Sequence, residues 1–352
     1  MWDGRIEYLT GGTTSTPRRI SYDWARWNRS VHVKSRLFRE YGLDAGARIA
    51  VCHPFAPWAM GSVFAEGALS VGATVLPLGL EVHKEAFYKV LLGFEPTHLC
   101  GAPRSLMRLA QGLSKSQEAR AALAKVEIAF VAGEKLTGYR RTSLGKVLEC
   151  SIVDVYGMAE FDMVAAQLPG SANLCLVPDF EFAIRLFPDG GLRPLECGLT
   201  GELAVSHSND GPWHQTSDKV EVINRVQGWT GQRPTWEIRF IERLDGSATF
   251  ACGAMIASAQ VSSVIASLPE LEFMQVLVTH DFDGDEVEIL CVSKAGADSR
   301  LPERAMQELL RVALDMSDSH SHGLIRNIRS RIATDGELFT TPRGKTPYIV
   351  ER

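Results

Sequence analysis

The chain has no Cys-x-x-Cys pair, no apolar run approaching membrane-spanning length, no Gly-x-Gly-x-x-Gly fingerprint, and no Gly-Lys-Ser/Thr at the Walker spacing after a glycine. Its seven cysteines, at positions 52, 100, 150, 175, 197, 252 and 291, are scattered and odd in number, which argues for reduced thiols and against a disulfide frame or zinc cluster. The start lacks the basic, then apolar, then small-residue layout of a secretory signal, so a cytoplasmic location is expected. Charge of either sign is not in excess: 37 Lys and Arg face 42 Asp and Glu, a net −5. Nucleic acid and membrane are therefore not expected partners, and small metabolites fit better. Internal repeats and low-complexity segments are missing as well. What remains is ordinary globular composition, 45% hydrophobic and 22% charged, over 352 residues, a length that usually makes about two domains.

The first half alternates apolar strands with helices. "RIEYLT" predicts a short strand, and "SYDWARWNRSVHVKSRLFREYG" predicts a helix with Ser21 or Asp23 as cap, Gly42 as stop, and its tryptophans in the core. "RIAVCHP", "ATVLPLG", "THLCGAP", "VEIAFVAGE" and "SIVDVYG" follow as strands, with helices between them near Ser62 to Val71, from about Val82, after "THLCGAP", and before "SIVDVYG". That alternation signals a parallel sheet covered on both faces. From "FEFAIRLFPDGG" to "KVEVINRVQGW" the pattern becomes short strands between Gly, Asp and Asn turns, as in antiparallel sheet or a small barrel. A smaller unit then offers a helix near Ala259 to Leu268, two strands around a turn, and a helix near Pro302 to Met316. The expected fold class is α/β: a large N-terminal domain, residues 1–244, with parallel sheet plus antiparallel strands, and a small mobile α+β domain, residues 245–352, hinged near Asp245.

The loop "TGGTTSTPRR" packs two glycines and five hydroxyl residues ahead of proline and two arginines. Glycines let successive N–H groups point at one anion and hydroxyls add donors, so the loop suits phosphate; as a bare Ser/Thr/Gly turn it would serve equally well. "DFDGDEVE" starts like a calcium-binding loop, but its twelfth position is Val292 rather than Glu, which leaves a hairpin turn.

Further motifs follow the loop in a fixed order: "FEPTHLCGAPRSLMRLA", "VAGEKLT", "DVYGMAE", "TGELAVS", "QTSDKV", "ERLDG" and "PRGKTPYIV". In this order the sequence resembles the adenylate-forming superfamily, most closely its phenylacetate-CoA ligase branch, and among these the short members of antibiotic-biosynthesis pathways such as phenazine ligases. The resemblance spans nearly the whole chain. It implies AMP-forming activation of an aromatic carboxylic acid by ATP, with Mg²⁺ as cofactor and the acyl group passed to CoA, a carrier protein or a reductase.

It also implies roles for individual residues. Thr10, Gly11, Gly12, Thr13 and Thr14 would hold the β- and γ-phosphates, and Glu160 would hold Mg²⁺ and serve catalysis. Tyr156 would stack on adenine, Asp154 would accept from its exocyclic amine, and Gly133, Glu134 and Gly157 would line the nucleotide. Asp218 would accept the ribose hydroxyls, a task suited to paired carboxylate oxygens. Arg243 would contact ribose or phosphate. Lys345 would be the mobile cation that reaches the carboxylate and α-phosphate as the small domain swings in. Phe55, Trp58, Met60, Ala132 and Met158 would face the planar acid, and His53 is expected to be structural. The sequence departs from the family in three places: Ala159 stands for the threonine of Tyr-Gly-x-Thr-Glu, Arg18 for a lysine, and the phosphate loop lies almost at the start, where a substantial preceding segment is expected. Arg18 keeps the charge; Ala159 and the short N-terminal segment favour a second reading, a nucleotide- or aryl-acid-binding protein without turnover, whereas the retained Glu160, Asp218 and Lys345 favour the first.

Overall fold

A computed structural model describes residues 3–9, 19–79, 85–113, 117–133, 136, 138–186, 190–208, 210–244, 246–250, 254–281, 284–294, 298–323, 325–340 and 346–352. The chain forms two compact units and passes from one to the other between Glu242 and Arg243.

The first unit opens with β1 (Ile6–Leu9) and β2 (Arg19–Tyr22), an antiparallel pair. Helix α1 (Trp24–Glu40) starts where the Asp23 carboxylate accepts from the Arg26 N–H at 2.8 Å and stops before Gly42, whose φ is +73°. Trp27, Ser30, Val33, Lys34, Leu37 and Phe38 are all buried at three- and four-residue intervals, one face of the helix. Then come β3 (Arg48–Val51), α2 (Met60–Leu69), β4 (Thr74–Pro77), α3 (Glu85–Phe94), β5 (His98–Gly101), α4 (Pro103–Leu113), α5 (Gln117–Leu123), β6 (Ile128–Ala132), α6 (Gly138–Leu148) and β7 (Ser151–Met158). The inner parallel strands β3, β5 and β6 are short and almost wholly buried, as expected where both faces carry helices.

Strand β7 is the pivot of the sheet. It runs parallel to β6 on one side and antiparallel to β8 (Asp162–Gln167) on the other. Beyond it lie β9 (Leu174–Leu176), β10 (Glu181–Arg185), β11 (Leu192–Pro194), β12 (Thr200–Ser206), β13 (His214–Val226) and β14 (Thr235–Arg243). Among the described residues twelve strands form one sheet, ordered β11-β10-β12-β13-β14-β9-β8-β7-β6-β5-β3-β4. The segment expected as short strands around "KVEVINRV" is instead one strand of thirteen residues, because Thr216, Asp218, Val220 and Val222 keep a period of two on the buried face.

The second unit holds β15 (Ala248–Thr249), β16 (Met255–Ile256), α7 (Ser258–Ser267), β17 (Leu271–Asp281), β18 (Gly284–Ser293), α8 (Leu301–Val312), α9 (Leu314–Ser321), β19 (Ile325–Ile332) and β20 (Ile349–Glu351). Its four-stranded sheet runs β19-β18-β17-β20, with β17 and β18 antiparallel and Asp281 opposite Gly284; Phe282 and Asp283 of the expected hairpin turn lie outside the described residues. One helix was expected over Pro302 to Met316. Two form, since Ala313 leaves helical geometry at ψ +70°, which lets Leu309 and Met316 both enter the same core. The described cysteines are all free. Among the described residues no helix is long and apolar enough to cross a membrane.

Candidate functional site

In a parallel sheet the carboxyl ends of the strands open onto a crevice, and ligands bind where the strand pattern changes direction. Here that place is the end of β6 and β7. Ala132 is in register with Val155, which sets Gly133 and Tyr156 just beyond the pair. Gly133 has φ +90°, and a Cβ there would stand 3.7 Å from the Met60 side chain at the start of α2. Phe55, Met60, Tyr156 and Met158 are partly buried against the core that contains Ala132. Trp58 is more open, 38% exposed. Ala132 itself is 4% exposed, so its methyl belongs to the core.

Tyr156 and Asp218 meet directly. The tyrosine hydroxyl donates to Asp218 Oδ2 at 2.5 Å. Four strand-to-strand steps separate β7 from β13, about 19 Å in a flat sheet. The contact therefore requires the sheet to curl, and it brings the tyrosine expected at adenine beside the carboxylate expected at ribose. Asp218 is 3% exposed. Its N–H donates to Thr216 Oγ1 at 3.1 Å, and the neighbouring Ser217, held at φ +60°, donates its N–H to Glu202 Oε1 at 2.8 Å. Glu202, buried and paired with Arg185, braces this irregular step in the strand.

Asp154 lies one alternation earlier on β7. Desolvation raises its carboxyl to about 6, and Arg141 of α6, at 3.8 Å, opposes that rise. Arg141 also donates to the Ile152 carbonyl at 2.6 Å. Gly157 was expected to line the nucleotide. In the structure its missing Cβ is filled by the Asp162 carbonyl, which would lie 2.1 Å from an added Cβ. This close approach of β8, at a bulge between Tyr156 and Gly157, is what demands glycine.

Glu160 sits on the turn between β7 and β8, partly buried, above a small cleft lined by Arg26, Arg29, Val33, Phe161 and His207. Arg29 Nη1 is 3.2 Å from His207 Nδ1, so that nitrogen accepts and the ring is neutral; burial, with Arg29 and Arg26 nearby, lowers its pKa. Among the described residues no three His, Cys, Asp or Glu side chains gather as a metal cage. A single carboxylate on a turn fits an ion that arrives with the phosphates of ATP and keeps its other oxygens. His53 behaves as a structural histidine: it stacks on Phe64 at 5.4 Å, and burial, reinforced by Lys34, pushes its pKa down to about 3.

Thr10 to Thr14, Arg18, Glu134, Asp245, Gly344 and Lys345 lie outside the described residues. Arg243 ends β14. The motif spacing did not reveal Arg26, Lys34, Arg141 or Glu202, whose contacts with the site are described by the fold rather than by neighbouring sequence.

A crevice at parallel strand ends, walled by a tyrosine hydroxyl and a buried carboxylate, is the layout of an α/β ligand-binding enzyme. The chain belongs to the AMP-binding enzyme family, whose model matches residues 8–209, more than half of its length. Solved structures share its fold. One is a 2-hydroxyisobutyryl-CoA ligase in complex with 2-HIB-AMP and CoA in the thioesterification state, with TM-score 0.72 and 16% identity over 98% of this chain and 73% of that one. Another is an amide bond synthetase from Marinactinospora thermotolerans, with TM-score 0.64 and 20% identity over 97% and 67%. A third is a malonyl-CoA ligase with methylmalonyl-CoA and AMP bound, with TM-score 0.63 and 18% identity over 93% and 71%. At such identities the likeness is one of fold. No curated protein matches the sequence.

Proposed function

We propose that the protein activates a carboxylic acid with ATP, releasing pyrophosphate and forming an acyl-adenylate, and that the acid is aromatic. The observation that carries this reading is the Tyr156–Asp218 contact at the end of the pivot strand, in a chain of the AMP-binding enzyme family. Tyr156 offers a ring for adenine, and Asp218 an acidic partner for ribose hydroxyls. Asp154 and Gly133 complete the base wall. A carboxylate oxygen of the acid attacks the α-phosphorus, and the bond to pyrophosphate breaks. Both reactants are anions, so fixed positive charge must meet them. Lys345 is assigned that task, the loop from Thr10 to Thr14 the β- and γ-phosphates, and Arg243 a phosphate or ribose contact. Glu160 would hold Mg²⁺, which supplies charge neutralisation at the phosphates. Phe55, Met60, Met158 and Trp58 give an apolar, partly aromatic wall, which supports a planar acid over a small polar one.

The acyl group then passes to an acceptor. CoA and an amine both fit, given the two CoA ligases and the amide bond synthetase among the structural neighbours; a carrier protein or reductase is a further class. The phenylacetate-CoA ligase branch, a role in antibiotic biosynthesis, and a lid role for residues 245–352 belong to the same proposal. Ala159, which lacks the expected hydroxyl, favours a second reading of binding without turnover. Pyrophosphate and AMP release measured over a panel of aryl and aliphatic acids, with CoA, an amine or neither, separates these. Release that depends on an aryl acid supports the proposal; release with aliphatic acids alone overturns the aromatic assignment.

A further inference from the structure

The turn carrying Glu160 is gripped by one helix at both ends. Arg26 Nη2 donates to the Ala159 carbonyl at 2.7 Å and to the Glu160 carbonyl at 2.9 Å, and the guanidinium lies 4.3 Å over the Tyr22 ring. Two turns further along α1, Lys34 Nζ donates to Asp162 Oδ1 at 2.9 Å. Positions 26, 30, 33 and 34 share one helix face, so both cations point at the same turn. Lys34 is 1% exposed, and a buried pair of this kind is often no more stabilising than apolar side chains of similar volume. Its carboxylate partner, at φ +65°, is also the residue whose carbonyl occupies the space over Gly157. None of these groups is needed for the proposed chemistry, yet together they fix three consecutive features of it: Gly157, the Ala159–Glu160 peptide and Asp162.

We infer that Arg26 and Lys34 are positioning residues that set where Glu160 stands. Arg26 acts through backbone carbonyls, at the place where Ala159 contributes no hydroxyl, and Lys34 fixes the far end of the turn through Asp162. Both bonds come from Nη2, while Nη1 donates to the Ser21 carbonyl at 3.3 Å, a planar spread of donors that the compact ammonium of lysine does not reproduce. The inference rests on the proposed role of Glu160 in holding Mg²⁺ with ATP, and its test separates the two.

The experiment compares the full chain with Arg26→Met, which keeps the aliphatic stem, and Arg26→Lys, which keeps the charge but not the fork. ATP affinity is measured with Mg²⁺ and with EDTA, amide hydrogen exchange is followed over 158–162, and pyrophosphate exchange is assayed with an accepted acid. In Arg26→Met the gain in ATP affinity on adding Mg²⁺ should be lost, affinity in EDTA should match the parent, and turn amides should exchange about tenfold faster. The adenylation rate should fall by about 10- to 100-fold, as for a displaced reacting group. Arg26→Lys should lie between, and decides by the same criteria if Arg26→Met does not fold. Parental Mg²⁺ dependence and parental exchange in both variants would overturn the inference. A parent that turns over no acid ends the functional reading while the Mg²⁺ and exchange measurements still decide the positioning role. A parent whose ATP affinity ignores Mg²⁺ removes the role of Glu160 and this inference with it.

Discussion

A carboxylate in the row Thr216, Asp218, Val220, Val222 is out of place by hydrophobicity alone, since the other members of that buried face are a threonine and two valines. The Tyr156 hydroxyl donates to this carboxylate, while the backbone N–H of Asp218 is held by the Thr216 hydroxyl oxygen. Asp218→Asn preserves an acceptor for Tyr156 but removes the charge. It should raise the KM for ATP by roughly 10- to 100-fold, the worth of a hydrogen bond to an ionised group, with little change in melting midpoint. Equal ATP affinity in mutant and parent would remove Asp218 from the site. Asp154 makes a second residue-scale prediction. Its folded-state pKa, about 6, lies above the unfolded carboxylate value, so the folded chain binds the extra proton. The associated stability is full below pH ~4 and is lost as pH rises through about 6. Asp154→Asn should leave stability near pH 4 unchanged and add about 1 kcal/mol at pH 8, reduced for the 24% of the side chain that stays exposed and for the lost Arg141 pair. Urea denaturation at the two pH values checks this; a pH-independent difference contradicts it. Tyr156 and Asp218 were legible in the sequence because each stands in an ordered motif. Arg26 was not, because its carbonyl partner is 133 residues away and a carbonyl carries no sequence signature.

At the scale of elements, β7 joins a parallel half-sheet to an antiparallel one, and Gly157 lets the two halves close. The same substitution should therefore have opposite signs at two glycines. Gly157→Ala drives a methyl to within 2.1 Å of the Asp162 carbonyl, a backbone atom that moves only with β8, and should cost about 3 kcal/mol. Gly145→Ala on α6 meets nothing closer than 3.9 Å and should stabilise by about 0.5 to 1 kcal/mol, the helix propensity difference. Denaturant midpoints for the pair test this, and a destabilised Gly145→Ala or a neutral Gly157→Ala would show that packing around β7 is not as described. Most element positions were readable: the Asp23 cap, the Gly42 stop and the apolar parallel strands are local signals. Helix α9 and the length of β13 were not, because the break at Ala313 serves a core shared by distant residues and the turn-like residues of "QTSDKV" masked a two-residue period.

The whole molecule is two units with separate cores, one built around Phe38, Phe64 and Phe130, the other around Phe250, Met274 and Leu309. The change from an alternating βα pattern to short strands and then to a smaller α+β segment is the signal on which two domains were expected. Curling of the large sheet was not visible, since it depends on side chains such as Tyr156 and Asp218 meeting across strands far apart in order. The central claim concerns the molecule as a catalyst, and acid-dependent exchange of labelled pyrophosphate into ATP tests it without needing the acceptor. The parent should exchange label only when a suitable aryl acid is present. Lys345→Ala should lower that rate by about 10²- to 10³-fold, comparable to losing an oxyanion donor, with ATP binding nearly unchanged. ATP binding by the parent with no exchange for any carboxylic acid would contradict the account and leave a nucleotide-binding protein in its place.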